Sequence, residues 1–335
     1  MQTLDPELAA LLPSAPPAAG EGPQRPPTIA EARAQCEQYV IAPHKAYQEP
    51  LLPPNSAYIL RDEAVAVTGG EIIVRCVVPV VEDSHAKFPV LVNIHGGGWS
   101  VGSIEIDDYF LRKLSVDLKL TTLNVAYRLA PEHPFPSAVD DCLAALKWVI
   151  QNQPLLKADL TKGFLIGGQS AGANLAAVLA HEARDDAFFA GPGRQLTGQV
   201  VREPMVIHPD VYPDGLKPAM RSMAEDADPG LPRTMVDLLI NFYSPDPADP
   251  RFSPLLYASH AGVPRAFVQG MGRDPVRDDA RAYAAALRAA GVAVRHIEYA
   301  GVTHGFHYSY PAIGAAVRVR AELVEGIRWL LEEGA

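Results

Sequence analysis

Gly168-Gln169-Ser170-Ala171-Gly172 sets a serine between glycines, after the apolar run Phe164-Leu165-Ile166 and before the Ala- and Leu-rich run from Asn174 to Ala183. That order predicts a strand, a tight turn and a helix, with Ser170 at the apex. Such a turn strains its apex residue, and bulky neighbours would collide with the strand and the helix. The Ser170 hydroxyl is then lifted out of the sheet at a helix N-terminus, where the Ala171 N–H can face a developing negative charge. A capping serine in an ordinary strand-to-helix turn would look the same over five residues. A nucleophile would also need a base, a group to orient the base, and donors for the oxyanion.

The chain offers each partner. His95-Gly96-Gly97-Gly98-Trp99 follows the apolar run Val90 to Ile94. Three bare glycines let backbone N–H groups approach a carbonyl oxygen, which makes Gly97 and Gly98 the expected oxyanion donors, with Ala171 as the third. His95 is expected to brace that loop. Among ten histidines, His304 lies in Gly301-Val302-Thr303-His304-Gly305-Phe306, between the last apolar strand and the final helix. A loop histidine at the strand edge can reach Ser170, so His304 is preferred as base over its neighbour His307. Asp274 follows the Ala266 to Gln269 strand; with Pro275 behind it, it also reads as a helix cap. Its place in the chain favours it as the orienting acid over Asp278 and Asp279, which sit further into the helix.

Other segments carry a family resemblance. Tyr127-Arg128-Leu129-Ala130-Pro131-Glu132-His133-Pro134-Phe135-Pro136, Asp249-Pro250-Arg251-Phe252-Ser253-Pro254-Leu255 and Asp274-Pro275-Val276-Arg277-Asp278-Asp279 stand in order around the serine and glycine motifs. With them the chain resembles the hormone-sensitive-lipase-like family of α/β-hydrolase esterases over about residues 85 to 310. The resemblance implies a Ser170, Asp274, His304 triad in the chain order of that fold. It implies Gly97, Gly98 and Ala171 as oxyanion donors, no cofactor, and a structural role for the Tyr127 to Pro136 segment. One position departs: the family commonly has Asp or Thr before the nucleophile, and here stands Gln169. Being neutral, Gln169 predicts that the charge network of an acid at that position is absent.

The elements around these motifs alternate. Ala64 to Val67 and Ile72 to Val78 flank Gly69-Gly70 as a hairpin. Val90 to Ile94, Thr121 to Tyr127, Phe164 to Gly168, Val200 to Ile207, Ala266 to Gln269 and Val294 to Tyr299 read as further strands. Helices are expected over Leu4 to Leu12, Ile29 to Tyr39, Ile106 to Leu118, Asp140 to Ile150, Asn174 to Ala183, Thr234 to Tyr243, Ala280 to Ala290 and Ala315 to Leu331. Continuous apolar strands alternating with helices predict an α/β fold, with a mostly parallel central sheet flanked by helices. Pro13 to Pro27 reads as an extended connector. Residues 1–55 are expected to form an N-terminal cap segment and 56–335 the catalytic domain. A cap insertion at about 209–250, rich in Pro, Asp and Met, is expected over the sheet's carboxyl edge.

Composition narrows the function. With 29 Lys+Arg against 39 Asp+Glu, the formal charge of −10 disfavours nucleic acid and anionic membrane surfaces as partners. Cys36, Cys76 and Cys142 are far apart and lack metal-ligand spacing, so neither a disulfide framework nor a metal site is expected. Acidic residues at the N-terminus argue against a secretory signal, and a cytoplasmic protein is expected. The ordered motifs point to a carboxylic ester hydrolase, and the family resemblance implies a small-molecule ester of short to medium acyl chain. An amidase or deacetylase with the same triad remains the alternative. A non-catalytic receptor on the same scaffold would lack the histidine that His304 supplies. Whether the chain forms a homodimer is open at this stage.

Overall fold

The computed structural model describes residues 2–12, 25–225, 228 and 230–332. Most of the Pro13 to Pro27 connector thus lies outside the described residues. Eight strands form one sheet: β1 Tyr58–Val67, β2 Gly70–Pro79, β3 Val90–Ile94, β4 Thr121–Ala126, β5 Phe164–Gln169, β6 Gly198–Arg202, β7 Arg265–Met271 and β8 Val294–Tyr299. Their spatial order is β1-β2-β4-β3-β5-β6-β7-β8. The β1–β2 hairpin and the β2–β4 pair are antiparallel; the remaining pairs are parallel. The Gly69-Gly70 hairpin is present, with Gly69 at φ +81°.

The helices are α1 Pro6–Leu11, α2 Ile29–Cys36, α3 Ala42–Gln48, α4 Asp108–Leu118, α5 Ser137–Gln151, α6 Ala171–Asp185, α7 Ser222–Glu225, α8 Arg233–Tyr243, α9 Arg277–Ala289, α10 Phe306–Ser309 and α11 Gly314–Leu331. Both faces of the sheet are covered at its centre, which is why β3, β5 and β6 are buried along their whole length, whereas edge strands β1 and β8 carry exposed or half-buried charges. Val90, Val92 and Ile94 of β3 pack with Leu146 of α5 and Leu175 of α6, whereas Leu91 faces Leu111 of α4 and Ile327 of α11. Alternation along one strand therefore feeds two cores, each buried large side chain contributing about 1.5–3 kcal/mol. A third cluster joins Val201 and Val268 to α6 and α9.

Several bounds shift by one to three residues from the sequence reading, as in α5 and α6, and two elements depart further. The strand expected to run from Val200 to Ile207 stops at Arg202, because Glu203 takes a left-handed φ of +52° and Pro204 has no N–H to donate. The helix expected over Ile29 to Tyr39 is regular to Cys36, widens into a π-helical turn over Glu37–Ile41, and continues as α3. Helix α1 is capped by Asp5, which accepts from the N–H groups of Glu7 and Leu8 at 3.0 and 3.1 Å. Its Leu8 plugs a cluster with Met271, Tyr299, Val302 and Phe306. Among the described residues, no helix is long and apolar enough to cross a membrane.

Candidate functional site

Ser170 sits between β5 and α6 at φ 56°, ψ −119°, a conformation held by what surrounds it. A Cβ on Gly172 would strike the carbonyl oxygen of Ile94, and one on Gly168 would meet that same oxygen at 2.6 Å. The flanking glycines are therefore needed because β5, α6 and β3 approach closely at the turn.

His304 arrives on the loop between β8 and α10. Its Nε2 lies 2.8 Å from Ser170 Oγ and its Nδ1 lies 2.7 Å from Asp274 Oδ2. Asp274 is buried, and its Oδ1 accepts the Val276 N–H at 2.9 Å. Three residues expected to act together, 30 and 134 positions from the histidine, thus stand in one hydrogen-bonded line. Burial opposes charging of the His304 ring. Asp274, then Glu203 and Asp228, outweigh it and hold the imidazole up to about 9.

The rejected neighbours have other partners. His307 is buried with no hydrogen bond to either ring nitrogen, and burial, reinforced by Arg202, keeps it neutral. Asp278 accepts from the N–H groups of Arg221 and Ser222 at 2.8 and 2.7 Å. Asp279 accepts from the Val206 N–H at 2.9 Å, its carboxyl raised by burial.

In the glycine loop, Gly97 and Gly98 have φ of +117° and +55°. Among the described residues, no backbone oxygen outside a regular helix or strand accepts from the N–H of Gly97, Gly98 or Ala171, the last at the start of α6. His95 braces this loop as expected. Its Nδ1 is 2.8 Å from Gly96 O, its ring stacks on Tyr127, and burial pushes it down to about 4. Tyr127 Oη donates to His95 O at 3.1 Å, and Arg128 pairs with buried Asp141 at 2.6 Å. Glu132 reaches Arg33 of α2 at 2.6 Å. The Tyr127 to Pro136 segment thus ties the glycine loop to α5 and to the N-terminal region.

The cavity over Ser170 has a volume of about 240 Å³. Cys36 and Val40 from the N-terminal region and Leu231, Met235 and Leu239 from the 209–250 insertion line it, beside Gly97, Gly98 and His304. The lining is mostly apolar, with Ser170, Gln169 and His304 among its polar side chains and, among the described residues, no carboxylate.

Gln169 brings no charge of its own beside Ser170, but it donates to a buried acid, Glu203. The Glu203 carboxylate accepts from Gln169 Nε2 at 2.8 Å and from Gly305 N at 2.6 Å. Asp228, from the insertion, accepts the His304 N–H at 2.5 Å. Neither acid was singled out in the sequence. For Glu203 a signal existed: Arg202-Glu203-Pro204 puts two charges and a proline inside an otherwise apolar segment. Asp228 had none, being one of several aspartates in a polar stretch.

Residues 91–308 match the family described as the alpha/beta hydrolase fold. The chain belongs to the hormone-sensitive-lipase-like α/β hydrolases. An AB hydrolase superfamily protein of Schizosaccharomyces pombe is 33% identical over 98% of this chain and 94% of its own length. Carboxylesterase NlhH of Mycobacterium tuberculosis is 37% identical, with 68% of each chain covered. Among solved structures, vibralactone cyclase superposes with a TM-score of 0.92 at 39% identity, over 98% of this chain and 95% of that one. This α/β hydrolase therefore shares fold and family with esterases and with a cyclase.

Proposed function

We propose that this α/β hydrolase is a carboxylic ester hydrolase working through an acyl-enzyme on Ser170. The observation that carries the reading is His304 hydrogen-bonded at once to Ser170 and Asp274. Ser170 Oγ attacks the ester carbonyl while His304 Nε2 takes its proton. Asp274 holds the Nδ1 proton and stabilises the imidazolium, and the N–H groups of Gly97, Gly98 and Ala171 receive the oxyanion. His304 returns the proton to the leaving alcohol, and water then releases the acid by the same route in reverse. The esterase relatives support ester hydrolysis. The N-terminal region and the 209–250 insertion act as the cap, since residues of both line the cavity.

A volume of about 240 Å³ lies below the roughly 300–1,000 Å³ of ordinary ligand pockets, which favours short to medium acyl chains over triglycerides. Ser170→Ala is expected to abolish turnover of p-nitrophenyl esters; wild-type rates in that variant would refute the assignment. A rate optimum on long-chain emulsions would reject the chain-length reading.

The likeness to vibralactone cyclase favours a second reading. An acyl-enzyme in an apolar cavity can be intercepted by a hydroxyl of the same substrate instead of water, giving a lactone. Hydroxy-ester substrates with product analysis separate the two: a free acid supports hydrolysis, a ring closure the alternative.

A further inference from the structure

Glu203 is a fully buried acid that the triad chemistry does not use. It follows β6 with φ +52°, a left-handed conformation that non-glycine residues hold at a cost. That twist turns its carboxylate under the catalytic loop. There Oε2 accepts from Gly305 N at 2.6 Å and from Gln169 Nε2 at 2.8 Å, and lies 3.6 Å from His304 Nδ1. Gln169 Nε2 in turn lies 3.3 Å from His304 Nε2.

We propose that Glu203 is a positioning residue for His304, anchoring the catalytic loop through Gly305, steering the ring through Gln169, and placing a second carboxylate behind the imidazolium. The proposal rests on the acyl-enzyme reading above.

The charges around the pair support an electrostatic role beyond bracing. His304 is faced by Asp274 on Nδ1, by Glu203 beside it, and by Asp228 on its backbone N–H. Asp228 is held by backbone donors, its Oδ2 accepting that His304 N–H and its Oδ1 accepting from Gly230 and Leu231. Glu203 Oε1 faces His307 Nδ1 at 3.3 Å, but His307 stays neutral and brings no charge. Arg202, next in sequence, directs its guanidinium to Asp107 at 3.6 Å. A buried carboxylate left without a direct cationic partner is costly. The imidazolium formed during turnover, 3.6 Å away, is the nearest cation that can offset it. A group serving only as a loop brace could equally have been a carboxamide.

Glu203→Gln keeps the shape and one acceptor while removing the charge; Glu203→Ala removes both. Histidine NMR titration of the free protein reads His304 directly and needs no substrate. In Glu203→Gln its midpoint is expected to fall by roughly one to two pH units. With p-nitrophenyl acetate, the acid limb of the rate profile moves down with it, while the high-pH plateau of kcat drops about tenfold and KM stays put. The two profiles therefore converge towards low pH, which loss of a brace alone would not produce. Glu203→Ala is expected to fall further. An unchanged His304 midpoint in Glu203→Gln would overturn the proposal. Failure of the underlying function reads out separately, as turnover surviving Ser170→Ala whatever the titration shows.

Discussion

Leu239 of α8 lies directly over Gly98 of the glycine loop, so that a Cβ at position 98 would stand 2.8 Å from Leu239 Cβ. Helix α8 and the glycine loop are thus packed side chain to backbone, and the glycine serves both a left-handed φ of +55° and the approach of α8.

Gly98→Ala is accordingly expected to lower kcat by about 10²–10³, the usual effect of misplacing one oxyanion donor. Leu239→Gly added to it should restore at least part of the rate, because it removes the whole colliding side chain, Cβ included, and leaves the backbone cost of about 1–2 kcal/mol at position 98. Steady-state kinetics of the two single variants and the double variant decide the matter. A double variant no faster than Gly98→Ala would show that the backbone conformation alone is limiting.

The pH dependence follows from His304. A general base must be neutral, and three carboxylates hold this ring up to about 9 against the opposing effect of burial. Activity is therefore expected to be low on the acid side and to rise with pH, with an inflection in kcat/KM above the ordinary imidazole range and towards 9. An inflection below 6.5 would mean that burial outweighs the carboxylates.

Asp274→Asn keeps the side-chain volume but no longer fixes the Nδ1 proton or offsets the imidazolium. Turnover of p-nitrophenyl acetate should fall about 10⁴-fold with little change in KM. A loss below tenfold would transfer the orienting role to Glu203.

Arg33 of α2 donates to Ser100 O and Ala130 O at 3.0 Å each and pairs with Glu132 at 2.6 Å. The ion pair is half-exposed and contributes little by itself; the two carbonyl contacts fix α2 against the site. Arg33→Ala is expected to raise KM several-fold through a looser cavity wall, leaving kcat within about a factor of three. Michaelis–Menten analysis tests this, and an unchanged KM would exclude it.

Gly172→Ala drives a methyl into the Ile94 carbonyl, between α6 and β3. Unfolding free energy should drop by about 1–3 kcal/mol, measured by chemical denaturation. Unaltered stability would mean that α6 can shift away without loss.

The amino-acid sequence by itself determined the turns that only glycine can make and the apolar runs that form the sheet. Glycines at 168 and 172 spell a tight strand-to-helix turn, Gly97 and Gly98 a bare loop, and continuous apolar runs a sheet covered on both faces. These demands are met within a few residues, so residue types alone express them. Order along the chain then singled out Asp274 and His304, because successive strand ends come together at one edge of a parallel sheet.

The tertiary structure alone decided the electrostatics of the site. Glu203 meets Gln169 across 34 positions and Gly305 across 102. Asp228 meets His304 across 76. An isolated acid carries no local pattern that says which distant histidine it will face. Its effect scales with separation and burial in three dimensions, and both arise only when β6, the 209–250 segment and the His304 loop pack together. The neutrality of Gln169 said nothing of its partners; folding brought it a carboxylate from beyond the end of the next strand of the sheet.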